Sequence, residues 1–264
     1  SRKLLGKIFS EPLRAFDCIY LQDEKSKKHF LELGAEEKKI RVCGPIKSAG
    51  TIFPNTSVLE KKMRALLKNK LIWTAASLHE SEENEILEAF KLAKKNIKDL
   101  VLIMIPRSIE LSNATLKKST KYSKFVGYRR KYIDMPKENT EIFVIGRIGE
   151  LGLWYRLAFI SFIGNSLNYK NIKTGKNPFE ALQENSVVIH GPKMLEPGYE
   201  ALLDLGISDL VNNRLDISKA VLKYSRRSIR EPKLRKGIDF LQRNKPIVDK
   251  MVNNIYIHQK KREP

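Results

Sequence analysis

From residue 71 onward, short and nearly unbroken apolar runs alternate with stretches whose apolar residues recur every three to four positions. Leu71 to Ser77 (LIWTAAS), Leu100 to Ile105 (LVLIMI), Phe125 to Tyr128, Ile142 to Ile145, Phe159 to Ile163 and Val187 to His190 read as strands by length and content. Between them, Glu82 to Lys94 carries Ile86, Leu87, Phe90 and Ala93 on one helical stripe. Leu151 to Leu157, Pro178 to Glu184 and Glu200 to Leu205 read as further helices. A strand that is apolar at almost every position is buried on both faces. Such strands separated by helices predict an α/β fold, a Rossmann-like parallel sheet with helices on both faces.

The first 50 residues are punctuated differently. Phe16 to Gln22 is a short apolar run, Glu24 to Leu33 a helical stretch closed by Gly34, and Lys39 to Gly44 a second short strand. Residues 50–60, with Pro54 and Asn55, read as a linker, and Ile229 to Tyr256 as a long helix that Pro246 interrupts. The organisation expected is therefore 1–55 as the end of one domain with its linker, 56–228 as the sheet domain, and 229–264 as a kinked helix with a basic tail. The chain starts at Ser1 in what reads as structured text, so a further N-terminal half is expected to belong with it.

Hydrophobic residues make up 42% of the 264, enough for a core. The formal charge of +20 attracts polyanions, whether nucleic acid, anionic membrane or phosphorylated substrate, and does not choose among them. Cations recur at Lys91 to Lys98, Lys117 to Lys131, Lys223 to Lys236 and Lys260 to Arg262, where solvated helix faces account for many of them. Two cysteines, Cys18 and Cys43, and four scattered histidines offer neither a disulfide scaffold nor metal-ligand spacing. No apolar run of membrane-spanning length and no signal peptide is present in the sequence.

Ligands of open parallel sheets bind beyond the carboxyl ends of the strands. The loops that leave those ends are therefore the candidates for chemistry. After the first strand come Ser77, His79 and Ser81, which either cap the next helix or bind an anion at its exposed amides. After the second comes Arg107, a bidentate donor for phosphate or carboxylate, or one half of a structural salt bridge. Gly146, Arg147, Ile148, Gly149, Glu150 and Leu151 follow the Ile142 strand, the glycines allowing close backbone approach. Gly164, Asn165, Ser166 and Leu167 follow the Phe159 strand. Asn177, Pro178, Phe179 and Glu180 then open a helix, where Glu180 either closes a capping box with Asn177 or accepts both hydroxyls of a ribose. Gly191, Pro192 and Lys193 form a tight turn with a cation. Together these loops suit a phosphorylated nucleotide.

In order and spacing over roughly residues 17 to 205, these segments resemble the C-terminal domain of the 3-deoxy-D-manno-octulosonic acid (Kdo) transferases. These are glycosyltransferases of the two-domain GT-B architecture that act in lipopolysaccharide assembly. The signatures GNLK, AAST-HEGEE, PRHPER, MGEL, GGSL, HNPLEP and GPH appear here as Gly44-Pro45-Ile46-Lys47, Ala76 to Glu83, Pro106-Arg107-Ser108, Ile148 to Leu151, Gly164 to Leu167, Asn177 to Glu180 and Gly191-Pro192-Lys193. Leu78, Ser108, Ile148, Asn165, Lys176, Ala181 and Lys193 depart from those signatures, and several departures add positive charge.

The resemblance implies the C-terminal, nucleotide-sugar-binding half of a GT-B enzyme, with CMP-Kdo as donor substrate, a lipid A precursor as acceptor and no cofactor or metal. It implies donor-binding roles for Lys47, Ser77, His79, Arg107, Ile148, Gly149, Glu150, Gly164, Ser166, Asn177, Glu180 and Lys193. It places the catalytic base and the membrane-anchoring segment in the N-terminal domain, so the chain alone is expected to bind the nucleotide without turnover. It also places the protein at the cytoplasmic face of the bacterial inner membrane, against an anionic lipid surface. Two other readings stand beside it: a module that kept the fold and lost catalysis, and a basic nucleic-acid-binding protein. The latter lacks any helix-turn-helix, zinc or RNP-like pattern.

Overall fold

The computed structural model describes residues 10–171, 175–194 and 198–260. Residues 172–174 of the expected polar loop, and Lys261 and Arg262 of the basic tail, lie outside them. The chain divides into two compact units, residues 1–50 with 239–264, and residues 51–238.

The larger unit is built on seven strands: β3 (Leu71–Leu78), β4 (Leu100–Pro106), β5 (Val126–Arg129), β6 (Ile142–Ile145), β7 (Ile160–Ile163), β8 (Val187–His190) and β9 (Ser208–Leu210). They form one sheet in the order β5-β6-β4-β3-β7-β8-β9, and every pairing is parallel. The expected α/β class and buried parallel sheet are thus observed. Alternate residues of one strand pack into opposite cores, which is why the strands read as unbroken apolar runs. Trp73, Leu102, Met104, Ile142, Val144, Ile160 and Phe162 pack on one face with Ile86, Phe90, Ile217 and Val221. Ile72, Val101, Ile103, Phe143 and Ile145 pack on the other with Leu59, Met63, Leu153 and Trp154.

The helices supplying those side chains are α2 (Ser57–Leu66), α3 (Glu83–Lys94), α5 (Leu151–Leu157) and α8 (Arg214–Ser225). Short helices α4 (Ser112–Ser119), α6 (Phe179–Gln183) and α7 (Tyr199–Asp204) complete the crossovers. Two expectations are corrected. Residues 50–60 are only partly a linker, because α2 begins at Ser57 and buries Leu59 and Met63. The strand expected at Phe125 to Tyr128 lies one residue later: α4 stops at Ser119, and β5 takes Val126 to Arg129.

The smaller unit holds β1 (Ile19–Leu21) and β2 (Ile40–Val42), paired in parallel, with α1 (Glu24–Glu32) between them. Leu13, Ile19, Leu21, Ala35 and Ile40 form its core. Asp23 caps α1 by accepting from the Ser26 N–H at 2.6 Å, and Gly34 ends it at φ 94°. The last helix, α9 (Arg227–Lys260), stays helical through Pro246 rather than being interrupted there. Proline removes only the one bond its own N–H would have made, and the turns on either side hold the rest. Among the described residues no helix is long and apolar enough to cross a membrane.

Candidate functional site

The strand order turns back at β3, with β4 on one side and β7 on the other. At this point the loops leaving neighbouring strands diverge and open a crevice at the carboxyl edge. There β3 ends irregularly: its register with β4 shifts between Ala76 and Leu78, and Ser77 takes the left-handed conformation at φ 57°. A side chain held in that region is strained, and such strain collects at ligand sites.

A cavity of about 420 Å³ opens beside Ser77. Ile105, Ile145, Ile148 and Trp154 line it together with Arg107, Arg147, Gly149 and Glu110. Arg107 is exposed, and its backbone N–H is fixed to the Leu78 carbonyl at 2.9 Å. Its guanidinium makes no ion pair or hydrogen bond among the described residues, so the salt-bridge reading of Arg107 has no partner there. Gly149 sits at φ 91°, which glycine adopts without strain, and leaves open space on the side where a Cβ would stand. Four of the residues singled out in the sequence, Ser77, Arg107, Ile148 and Gly149, thus converge on one cavity.

Glu150, the next residue, is turned the other way. Its carboxylate is buried and receives both forks of the fully buried Arg129, at 2.6 and 2.8 Å. Arg129 also donates to the Tyr132 carbonyl at 2.9 Å and to that of Asp134. The pair therefore ties the start of α5 to the loop after β5. Nothing local marks Arg129 in the sequence, where it stands in a run of surface cations.

The loop after β7 closes on Glu82, the residue that precedes α3. The amides of Asn165, Ser166 and Leu167 point together at the oxygens of Glu82, at 2.6, 2.8 and 2.9 Å. Glu82 is wholly buried and also accepts from the His79 N–H at 3.0 Å. Four N–H donors fill a carboxylate's capacity. A protein carboxylate thus fills this amide nest. The Ser166 hydroxyl donates to the Ile163 carbonyl at 2.6 Å and accepts from the Gly191 N–H at 2.8 Å, stitching two loops together. Gly164 is there for space, since a Cβ would stand 2.8 Å from the carbonyl oxygens of Ala76 and Ser77. The His79 ring contacts the Ser81 hydroxyl at 2.8 Å.

Asn177 accepts from the Phe179 N–H at 3.1 Å, and its amide donates to Glu180 at 3.3 Å. Both side chains thus organise the start of α6, and Glu180 remains half-exposed at the carboxyl edge of the sheet. Burial, with the Glu180 charge second, pushes the Tyr155 phenol of α5 well above its ordinary value. The Lys193 ammonium donates to the Tyr169 carbonyl at 2.7 Å. Lys47 is exposed in the turn Ile46–Ala49 of the other unit.

Comparison with known proteins gives this arrangement its relatives. Residues 1–49 match the family model described as 3-deoxy-D-manno-octulosonic-acid transferase (kdotransferase). The 3-deoxy-D-manno-octulosonic acid transferase of Haemophilus influenzae is 34% identical over 176 residues, 66% of this chain and 40% of that protein. The Rickettsia felis enzyme of the same name is 31% identical over 182 residues, 69% of this chain and 38% of that one.

The chain belongs to the Kdo transferase family.

A solved structure described as the C-terminal CMP-Kdo binding domain of WaaA from Acinetobacter baumannii superposes with a TM-score of 0.60 at 24% identity. It covers 70% of this chain and 97% of that one. The likeness is one of fold, the parallel α/β sheet of this Kdo transferase family member. The chain spans about 40% of the length of the curated relatives it matches.

Proposed function

We propose that this chain supplies the donor-binding half of a Kdo transferase, holding CMP-Kdo while its sugar passes to a lipid A precursor in lipopolysaccharide synthesis. The observation that carries the reading is the cavity at the carboxyl ends of β3, β4 and β6, where the uncommitted Arg107 guanidinium and the Gly149 backbone meet an apolar wall of Ile105, Ile145, Ile148 and Trp154. Apolar walls suit the faces of a base, and a guanidinium at the rim suits a phosphate. Glu180, half-exposed in the first turn of α6 at the same edge, is the ribose partner in this reading, and no metal takes part.

In the transfer, an acceptor hydroxyl oxygen bonds to the anomeric carbon of Kdo as that carbon's bond to the phosphate oxygen breaks. The electron pair stays on the phosphate, CMP leaves, and the hydroxyl proton passes to a carboxylate base that the family resemblance assigns to the N-terminal domain. Arg107 would stabilise the leaving phosphate.

Isothermal titration of the chain with CMP tests the reading. Binding is expected, and Arg107→Gln should weaken it about tenfold or more, the worth of a charge-assisted hydrogen bond. A chain that is folded and takes up no CMP would overturn it.

The reading also puts the protein against an anionic membrane face. Exposed Phe125, Tyr132 and Ile133 stand among exposed Lys121, Lys124, Arg130 and Lys131 beside the edge strand β5. Apolar groups interleaved with cations suit the surface of an anionic bilayer.

A further inference from the structure

No signature assigned a role to Arg147, yet it lines the cavity together with Arg107. Its Nε lies 2.9 Å from Glu150 Oε1, but without the alignment of a hydrogen bond. Both oxygens of Glu150 are already engaged by Arg129, whose guanidinium is entirely buried. Arg129 and Glu150 neutralise each other, so the Arg147 charge is an excess one. Its guanidinium also lies over the Tyr132 ring, 5.7 Å from the centroid, which restrains its position. The only carboxylate lining the cavity among the described residues is that of Glu110, which is exposed and accepts from the Ser108 hydroxyl. In water its field is largely screened.

Two guanidiniums on one cavity match more charge than one ester phosphate carries. The phosphate of bound CMP-Kdo is a diester with a single negative charge. That of released CMP is a monoester with close to two at neutral pH. Resting on the donor-binding reading above, we propose that Arg147 is a second anion-binding residue that selects the doubly charged phosphate. Arg107 holds the phosphate in either state, and Arg147 adds its bond as the second charge appears. A contact that strengthens as charge develops favours bond cleavage over ground-state binding. The same contact makes CMP a tighter ligand than any singly charged CMP ester.

Titration calorimetry at pH 7.5 with two probes, CMP and its phosphate methyl ester, tests this on the full chain. The parent should bind CMP about fivefold or more tighter than the ester, the worth of one further charge-assisted hydrogen bond. In Arg147→Gln that preference should fall below about twofold, while the ester binds as it does to the parent. Arg107→Gln should weaken both probes. Arg147→Met is a second neutral variant for use if glutamine disturbs the turn, and thermal melting confirms that each variant is folded. A folded Arg147 variant that keeps the parent's preference overturns the proposal, as does a parent that shows none. Either result leaves the donor site standing. A parent that binds neither probe overturns the donor reading itself, so the two failures are distinct.

Discussion

The residue that most constrains the site's surroundings is Arg129. Four of its hydrogen bonds are spread over a carboxylate and two carbonyls, and the side chain is wholly buried. A buried pair of this kind contributes little net stability over an apolar replacement, yet removing Arg129 leaves the buried Glu150 carboxylate with only the misaligned Arg147 beside it. Arg129→Met should therefore cost about 3–5 kcal/mol in urea denaturation. A loss under about 1 kcal/mol would mean that water reaches Glu150 in the folded protein. The resemblance implies a ligand role for Glu150 from its place in the MGEL-like turn. Its partner Arg129, 21 residues away, leaves no mark near it in the sequence. The same holds for Glu82, whose three amide donors in the β7 loop lie 83 to 85 residues further on. In the sequence it is one acid among several before a helix, and helix-dipole arguments explain it adequately until the loop is seen to close on it.

At the level of elements, the central strands and their helices were legible. β6, α5 and β8 fall on the expected residues, because a fully buried strand and a short amphipathic helix each leave a clear apolar text. Four elements are not legible, one of them α4, whose eight residues are mostly polar. α2 hides behind Pro54 and Asn55, two turn signals that stop just before it. β9 is a three-residue edge strand, and α8 follows it with a broad, weakly patterned face. That edge is held by His190, at the end of β8. Its ring contacts the Gly191 carbonyl at 2.8 Å and the Ser208 hydroxyl of β9 at 3.2 Å, and packs edge-on against Tyr199 of α7. Burial lowers the His190 pKa below its ordinary value, with the Gly191 carbonyl and Asp209 opposing and Lys233 assisting. The unfolded chain thus takes up this proton before the folded chain does, and folding loses stability as pH falls below about 6.5. The slope for one proton is at most about 1.4 kcal/mol per pH unit. Denaturation midpoints of parent and His190→Gln measured from pH 7.5 to 5 should converge as the pH drops, and parallel curves would contradict the assignment. Asp209 acts in a lower window. Burial raises its carboxyl, but Lys233, Tyr224 and Lys223 outweigh that and hold it below the ordinary carboxylate value. Its contribution persists until the pH falls below about 4.

On the scale of the whole molecule, a charge of +20 is much larger than one ligand requires. Folding removes several cations from that surface: Arg129 into Glu150, Lys233 onto Asp209, Lys118 onto Glu83. Lys117, Lys121, Lys124 and Arg130 remain exposed beside Phe125. The chain should cosediment with vesicles containing phosphatidylglycerol and be released by salt, as screening shortens the reach of its charges. The triple change Lys117→Glu, Lys121→Glu, Lys124→Glu should at least halve the bound fraction, by about 1 kcal/mol per surface cation. Binding unaltered by that change would remove this edge from the membrane reading.

The sequence alone determined the order of the elements, the burial of the sheet on both faces and the ordered motifs at the strand ends. Each of these is written in local periodicity or in short runs of residues. Only the tertiary structure decided which polar groups were already spoken for. Glu82 fills one amide nest and Arg129 holds Glu150, while Ser77, Arg107, Arg147 and Gly149 are left lining one cavity. The physical reason is that a hydrogen bond between residues far apart in the chain needs no pattern near either of them, only a fold that brings them together.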